Sequence, residues 1–196
     1  MKISETVFYD LETGGTRWND EIIQIGAVCG DDEFEVKLQF DIDNADAEAL
    51  EMNSFDYDLW INDAIPLEEG LDKFSSWLSD HAYVKKISKK KGKEYWVARL
   101  SGYNIIRFDG SFLYRAYNDL SMFRPWDQTV YDVMQLARWC IQDDSKSFKL
   151  IEVAKHLGIN LDNINAKGGQ HDAVWDAMLT RAICYELMPR CEEDMD

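Results

Sequence analysis

The period of the hydrophobic pattern changes along this chain, and the order of those changes constrains the fold more than any single motif does. Residues 6–10, 21–29 and 33–40 read as three strands, the last two joined by a turn at Gly30, Asp31 and Asp32. From residue 45 the period becomes helical. Ala47, Leu50, Phe55 and Leu59 recur at helical intervals, and Pro66 opens a second helical stretch carrying Leu67, Leu71, Phe74 and Leu78. A lysine-rich hairpin or extended loop over about residues 82–100 joins a fourth strand, which leads through Gly102, Tyr103 and Asn104 to a helix beginning near Asp109. Residues 127–131 read as a fifth short strand, and 133–141, 150–157 and 172–187 carry helical spacing. The order β-β-β-α-β-α-β-α-α predicts an α/β fold: a mixed five-stranded sheet flanked by helices.

No internal repeat, low-complexity segment or Pro/Gly linker divides the 196 residues, so a single domain over 1–190 is expected, followed by an acidic tail at 191–196. Aromatic residues make up 13% of the chain, far from a disordered composition. The formal net charge of -16 excludes a protein that coats nucleic acid through bulk charge. Four cysteines contain no C-x-x-C pair, which argues against a zinc ribbon or redox motif and for a reduced, cytoplasmic setting. Asp10 and Glu12 interrupt any signal-peptide core near the start, and no run of about 18 apolar residues predicts a membrane span.

Asp10 and Glu12 are one residue apart at the end of the first strand, so alternation sends both carboxylates to one side while Leu11 points to the other. Two hard oxygen ligands converge there, although a chain with 37 acids produces such pairs easily and Asp46-Ala47-Glu48 is another. Asp176 says more. It shares a 3-4 stripe with Ala173, Thr180, Ile183 and Leu187 on the last helix, and a carboxylate on a core-facing stripe must neutralise, pair or bind a cation. Asp172 is explained as a negative charge in the first turn of that helix. His171 follows the loop Ala166-Lys167-Gly168-Gly169-Gln170, whose glycines permit movement, and lies five residues before Asp176. Asp109, ahead of Gly110-Ser111, serves equally well as a helix N-cap or as a member of the acidic site.

Together these segments resemble a family. Phe8-Tyr9-Asp10-Leu11-Glu12-Thr13-Gly14-Gly15, Glu21-Ile22-Ile23-Gln24-Ile25-Gly26-Ala27-Val28, Gly102-Tyr103-Asn104 with Phe108-Asp109, and His171-Asp172-Ala173 with Asp176-Ala177 follow the order of the DEDDh (DnaQ-like) exonucleases, the group of polymerase proofreading subunits and oligoribonucleases. The resemblance implies a ribonuclease-H-like fold and removal of nucleotides from 3′ ends. It makes Asp10, Glu12, Asp109 and Asp176 the ligands of two divalent ions, Mg²⁺ or Mn²⁺, with His171 as general base. Thr13 and Gly14, with Tyr103 and Asn104, fall at substrate-binding positions, and Tyr103 stands where many members have histidine. An all-oxygen ligand set favours Mg²⁺ or Mn²⁺ over zinc.

Eight cations, among them Lys89, Lys90 and Lys91, lie between residues 85 and 107 beside a single acid, Glu94. They read either as a solvated tip that protects strand edges or as a rail for a single strand, with Tyr95, Trp96 or Trp18 stacking on bases. The expected function is metal-dependent 3′-to-5′ hydrolysis of single-stranded DNA, releasing nucleoside 5′-monophosphates. The alternatives are an exoribonuclease for short RNA and a catalytically silent nucleic-acid-binding or polymerase-associated module. A polymerase or replication partner is not specified by the sequence.

Overall fold

In the computed structural model, the described residues are 2–53, 55–141, 147–164, 169 and 171–193, apart from the side chains of 59 and 190–193. The central sheet has strand order β3-β2-β1-β6-β7. Strands β1 (Val7–Thr13), β2 (Ile22–Cys29) and β3 (Asp32–Lys37) form an antiparallel meander, while β6 (Leu100–Gly102) and β7 (Tyr131–Asp132) add in parallel on the other side of β1. The mixed five-stranded sheet expected from the sequence is present.

Alternation along β1 explains the layering. Val7, Tyr9 and Leu11 enter one core with Leu71, Phe74 and Leu78 of α3 (Leu67–Asp80) and Phe112, Leu113 and Tyr117 of α4 (Asp109–Asp119). Phe8, on the opposite face, enters a second core with α5 (Val133–Ile141), α6 (Leu150–Leu157) and α7 (Ala173–Glu193). Asp10 and Glu12 continue the Phe8 side, so the strand turns from apolar to acidic where it leaves the core.

Three boundaries differ from the sequence reading. The helical stretch after residue 45 is two short helices, α1 (Ala47–Met52) and α2 (Tyr57–Asp63), with Phe55 between them packing edge-on against Phe40. The run 95–100 is divided: β5 (Glu94–Val97) pairs with β4 (Val84–Ile87) in a separate hairpin, whereas Leu100 onward pairs with β1. The fifth strand falls at Tyr131–Asp132 rather than 127–131, because Asp127 folds into a turn, accepting from Thr129 N–H and pairing with Lys86 at 2.8 Å.

Of the tail read at 191–196, residues up to Glu193 belong to α7 and 194–196 lie outside the described residues, as does the loop before His171 except Gly169. Cys29 and Cys184 are buried free thiols, but Cys140 is disulfide-bonded, which departs from a wholly reduced set. Among the described residues, no helix is long and apolar enough to cross a membrane.

Candidate active site

Three elements meet where β1 leaves the core. β1 supplies Asp10 and Glu12, the first residue of α4 is Asp109, the first turn of α7 supplies Asp176, and the turn just before α7 supplies His171. Glu12, Asp109 and Asp176 are buried, Asp10 is partly accessible, and His171 is half-buried. One ligand atom each from Glu12, His171 and Asp176 lie within 4.8 Å of one another. Asp109 is tied to β1 by the Leu11 N–H, which donates to its Oδ1 at 3.2 Å. Glu12, His171 and Asp176 therefore converge, and Asp10 and Asp109 lie within electrostatic reach of the Asp176 carboxylate.

The approach of α7 to the sheet depends on Gly26. A Cβ there would lie 2.3 Å from the backbone of Ala173 and Val174, and Gly26 is the register partner of Asp10. A residue with a side chain at position 26 would push the helix, and with it Asp176, away from Asp10. Gln24, register partner of Glu12, completes the junction: its Nε2 donates to Asp172 at 3.3 Å and to Glu35 at 3.0 Å, and its Oε1 accepts from Ala173 N–H at 3.3 Å. Asp172 caps the helix, accepting from Val174 and Trp175 N–H, each at 3.1 Å. His171 has φ of 64°, a left-handed conformation that costs a non-glycine residue about 1–2 kcal/mol. Its backbone N–H is tied down by the Asp176 carboxylate.

The sequence reading missed Gln24, Gly26 and Asp132. Asp132 is buried and accepts from the N–H groups of Asn104, Ile106, Met134 and Gln135, so it caps α5 and pins the loop that delivers Asp109. A signal did exist for two of them: Gln24 is the polar residue in an otherwise apolar strand, and an interior strand glycine marks a close backbone approach.

The electrostatics are those of carboxylates crowded out of water. Burial first, then Asp176 and Asp109, raise Glu12 to about 8. Burial raises Asp109 to about 7 against the pull of two backbone N–H groups, its own and that of Leu11. Asp176 also rises to about 7 through burial, with the His171 N–H acting in the other direction. Burial and then Asp109, Asp176 and Glu12 push Asp10 well above the ordinary carboxylate range. Burial lowers the His171 pKa from its ordinary value, favouring the neutral imidazole. Asp176 Oδ1 is buried without a hydrogen-bond partner. An orphaned carboxylate oxygen among like charges fits a hard divalent cation, and the donor set is oxygen with one imidazole.

The other predicted residues are placed as follows. Thr13 ends β1, its Oγ1 donating to Gly15 O at 2.7 Å, and Gly14 exchanges backbone bonds with Glu21 O and Asp46 N–H. Tyr103 is buried and donates to Phe148 O at 2.8 Å. Asn104 has φ of 60°, and its Oδ1 is buried without a partner. Lys89, Lys90 and Lys91 are exposed at the tip of the β4–β5 hairpin.

No protein-family model matches the chain. In sequence it is 30% identical over 197 residues to a DNA polymerase III PolC-type from Clostridium perfringens, covering 98% of this chain and 12% of that protein. A second PolC-type polymerase, from Caldanaerobacter subterraneus subsp. tengcongensis, is 27% identical over 194 residues, with 96% and 12% covered. The chain thus spans about an eighth of the length of the curated relatives it matches. Among solved structures it superposes on exonuclease I with a TM-score of 0.68 at 18% identity, covering 97% of this chain and 42% of the other. The chain has the exonuclease I fold. E. coli exonuclease I in complex with a dT13 oligonucleotide gives a TM-score of 0.70 at 17% identity, covering 97% of this chain and 43% of that one. The ribonuclease-H-like fold implied by the DEDDh resemblance is borne out.

Proposed function

We propose that residues 1–190 form a DEDDh exonuclease domain that hydrolyses phosphodiester bonds from the 3′ end of single-stranded DNA, releasing nucleoside 5′-monophosphates in a cytoplasmic setting. The observation that carries this reading is the buried, unpartnered Asp176 Oδ1 in a cleft shared with Asp10, Glu12 and Asp109 and flanked by His171. Sequence similarity to PolC-type DNA polymerases and the exonuclease I fold support it and favour DNA.

Asp10, Glu12, Asp109 and Asp176 are the groups that would hold two divalent cations, Mg²⁺ or Mn²⁺, since two such ions offset four carboxylates. When bound, a pair of this kind stabilises the attacking and leaving oxygens of an in-line displacement. His171, whose burial favours the neutral imidazole, accepts a proton from the attacking water at an imidazole nitrogen, the water oxygen bonds to phosphorus as the P–O3′ bond breaks, and the departing O3′ takes up a proton from solvent to leave a 3′-hydroxyl on the upstream strand. Thr13, Gly14, Tyr103 and Asn104 are assigned to the terminal nucleotide, the first pair through the turn after β1 and the second through the loop before α4.

The test is a Mg²⁺-dependent digest of 5′-labelled and 3′-labelled oligonucleotides of matched DNA and RNA sequence. A ladder shortening from the 3′ end on 5′-labelled DNA, with labelled mononucleotide released at once from 3′-labelled DNA, is expected. Faster digestion of RNA would transfer the reading to an exoribonuclease, and no digestion of either would reject it.

A further inference from the structure

A groove of roughly 1160 Å³ runs between the β4–β5 hairpin, one face of α4 and the segment after α4. The α4 side is a stripe at helical spacing, Gly110, Ser111, Tyr114 and Asn118, which starts one residue beyond Asp109. Three cations, Lys86, Lys89 and Arg124, line it against one carboxylate, Asp127, and that carboxylate is already paired with Lys86 at 2.8 Å. In a chain of net charge -16 this is a local reversal of sign.

The aromatic lining has the same character. Phe123 is 70% exposed and Tyr95 40% exposed, with ring centroids 6.4 Å apart in an edge-on arrangement. Tyr114 is stacked by the Arg124 guanidinium at 4.0 Å. Arg124 Nη1 is buried with no hydrogen-bond partner, a donor held in place and left unused. Solvent-facing rings beside fixed cations are the elements of a single-strand platform, because every base offers a stacking face and every nucleotide a phosphate. At ~1.5 Å per helical residue the stripe from Gly110 to Asn118 is about 12 Å long. That length accommodates about three or four stacked bases at a ~3.4 Å rise.

We propose that this groove binds the single-stranded DNA segment upstream of the 3′ end, Phe123 and Tyr95 stacking on bases and Lys89 and Arg124 contacting phosphates. The inference rests on the exonuclease reading for its polarity: the strand enters along α4 and delivers its end to Asp109. It assigns the lysine-rich hairpin a wall of the groove, and it adds the aromatic residues and Arg124.

The experiment is fluorescence anisotropy of fluorescein-labelled dT8 in EDTA, where hydrolysis is absent, with wild type, Phe123→Ala, Lys89→Gln and, as a control, Trp139→Ala. Trp139 is 76% exposed on α5, in the layer across the sheet. Phe123→Ala is expected to raise Kd at least about fivefold, the low end for removing one base stack, and Lys89→Gln to flatten its salt dependence by roughly 0.7. Trp139→Ala is expected to match wild type, and a blunt eight-base-pair duplex to compete poorly because its bases are already stacked. Equal affinity of wild type and Phe123→Ala, or equal competition by duplex, overturns the groove. Failure of the exonuclease reading looks different: dT8 binds with the expected variant pattern, but Mg²⁺ triggers no cleavage.

Discussion

The cleft at the end of β1 and the groove beside the β4–β5 hairpin are opposite in charge and in burial, although α4 borders both. The cleft concentrates carboxylates where water is scarce, so Glu12, Asp109 and Asp176 carry pKa values of about 8, 7 and 7. Such a cluster opposes folding unless protons or cations occupy it. The groove's lysines reach solvent, where cations cost little and are screened by salt. The difference separates two jobs: the buried cluster acts on the reacting bond, and the exposed groove acts on strand affinity. A variant in the first should change kcat, and one in the second should change KM.

The largest expected effect breaks the cleft. Asp176→Asn, which keeps an oxygen to receive the His171 N–H, should lower kcat by roughly 10⁴ or more, the scale for removing a member of a catalytic unit. Its melting temperature without metal should equal or exceed that of wild type, because one like charge leaves the cluster. Near-normal Mg²⁺-dependent activity in protein free of host nuclease would remove Asp176 from the metal set.

Next is the base. His171→Ala should lower kcat by about 10² to 10⁴. Wild-type activity should decline as pH falls through the His171 pKa, which burial lowers, because only the neutral imidazole accepts a proton. A pH–rate profile in which the variant keeps the same acidic limb would assign that limb elsewhere.

A smaller effect sharpens the comparison through stability. Ordinary carboxylates titrate near pH 4, so with values raised to about 7 and 8 the folded chain holds more protons than the unfolded chain between those limits. The stabilisation from protonated carboxyls is complete below about pH 4 and lost as pH rises through 7 to 8. The metal-free melting temperature should therefore fall from pH 6 to pH 8, and Mg²⁺ should raise it more at pH 8, where fewer protons must leave. A Glu12→Gln variant should show a shallower fall in thermal melts across that range.

The smallest effect belongs to the hairpin tip. Replacing Lys89, Lys90 and Lys91 by Gln should flatten the salt dependence of single-strand affinity by roughly 0.7 for each phosphate no longer neutralised, with the change in KM rather than kcat. Identical slopes for both proteins would leave the tip as a protected strand edge.

Much of the cleft was legible in the sequence because its members obey local periods. Alternation in β1 brings Asp10 and Glu12 to one side, and the 3-4 stripe turns Asp176 toward the core, where Ala173, Thr180, Ile183 and Leu187 are all buried. Gln24 and Gly26 take their importance from strand register and from the approach of α7, which no local period encodes. The groove was harder still. Phe123 and Arg124 lie in an irregular segment, and they meet Tyr95 and Tyr114 only after the hairpin has left the main sheet and α4 has packed beside it. The division of residues 95–100 between two sheets was hidden for the same reason, since strand pairing rather than any break in the sequence run sends 94–97 to β4 and Leu100 onward to β1.

The central claim is that the acidic cleft exists to hold divalent cations, and Mn²⁺ binding followed by electron paramagnetic resonance at pH 8 tests it most directly. The account predicts up to two ions per chain for wild type, competed by Mg²⁺, and loss of binding in Asp10→Asn and Asp176→Asn proteins that remain folded. Mn²⁺ binding of equal stoichiometry and affinity in wild type and both variants would contradict it.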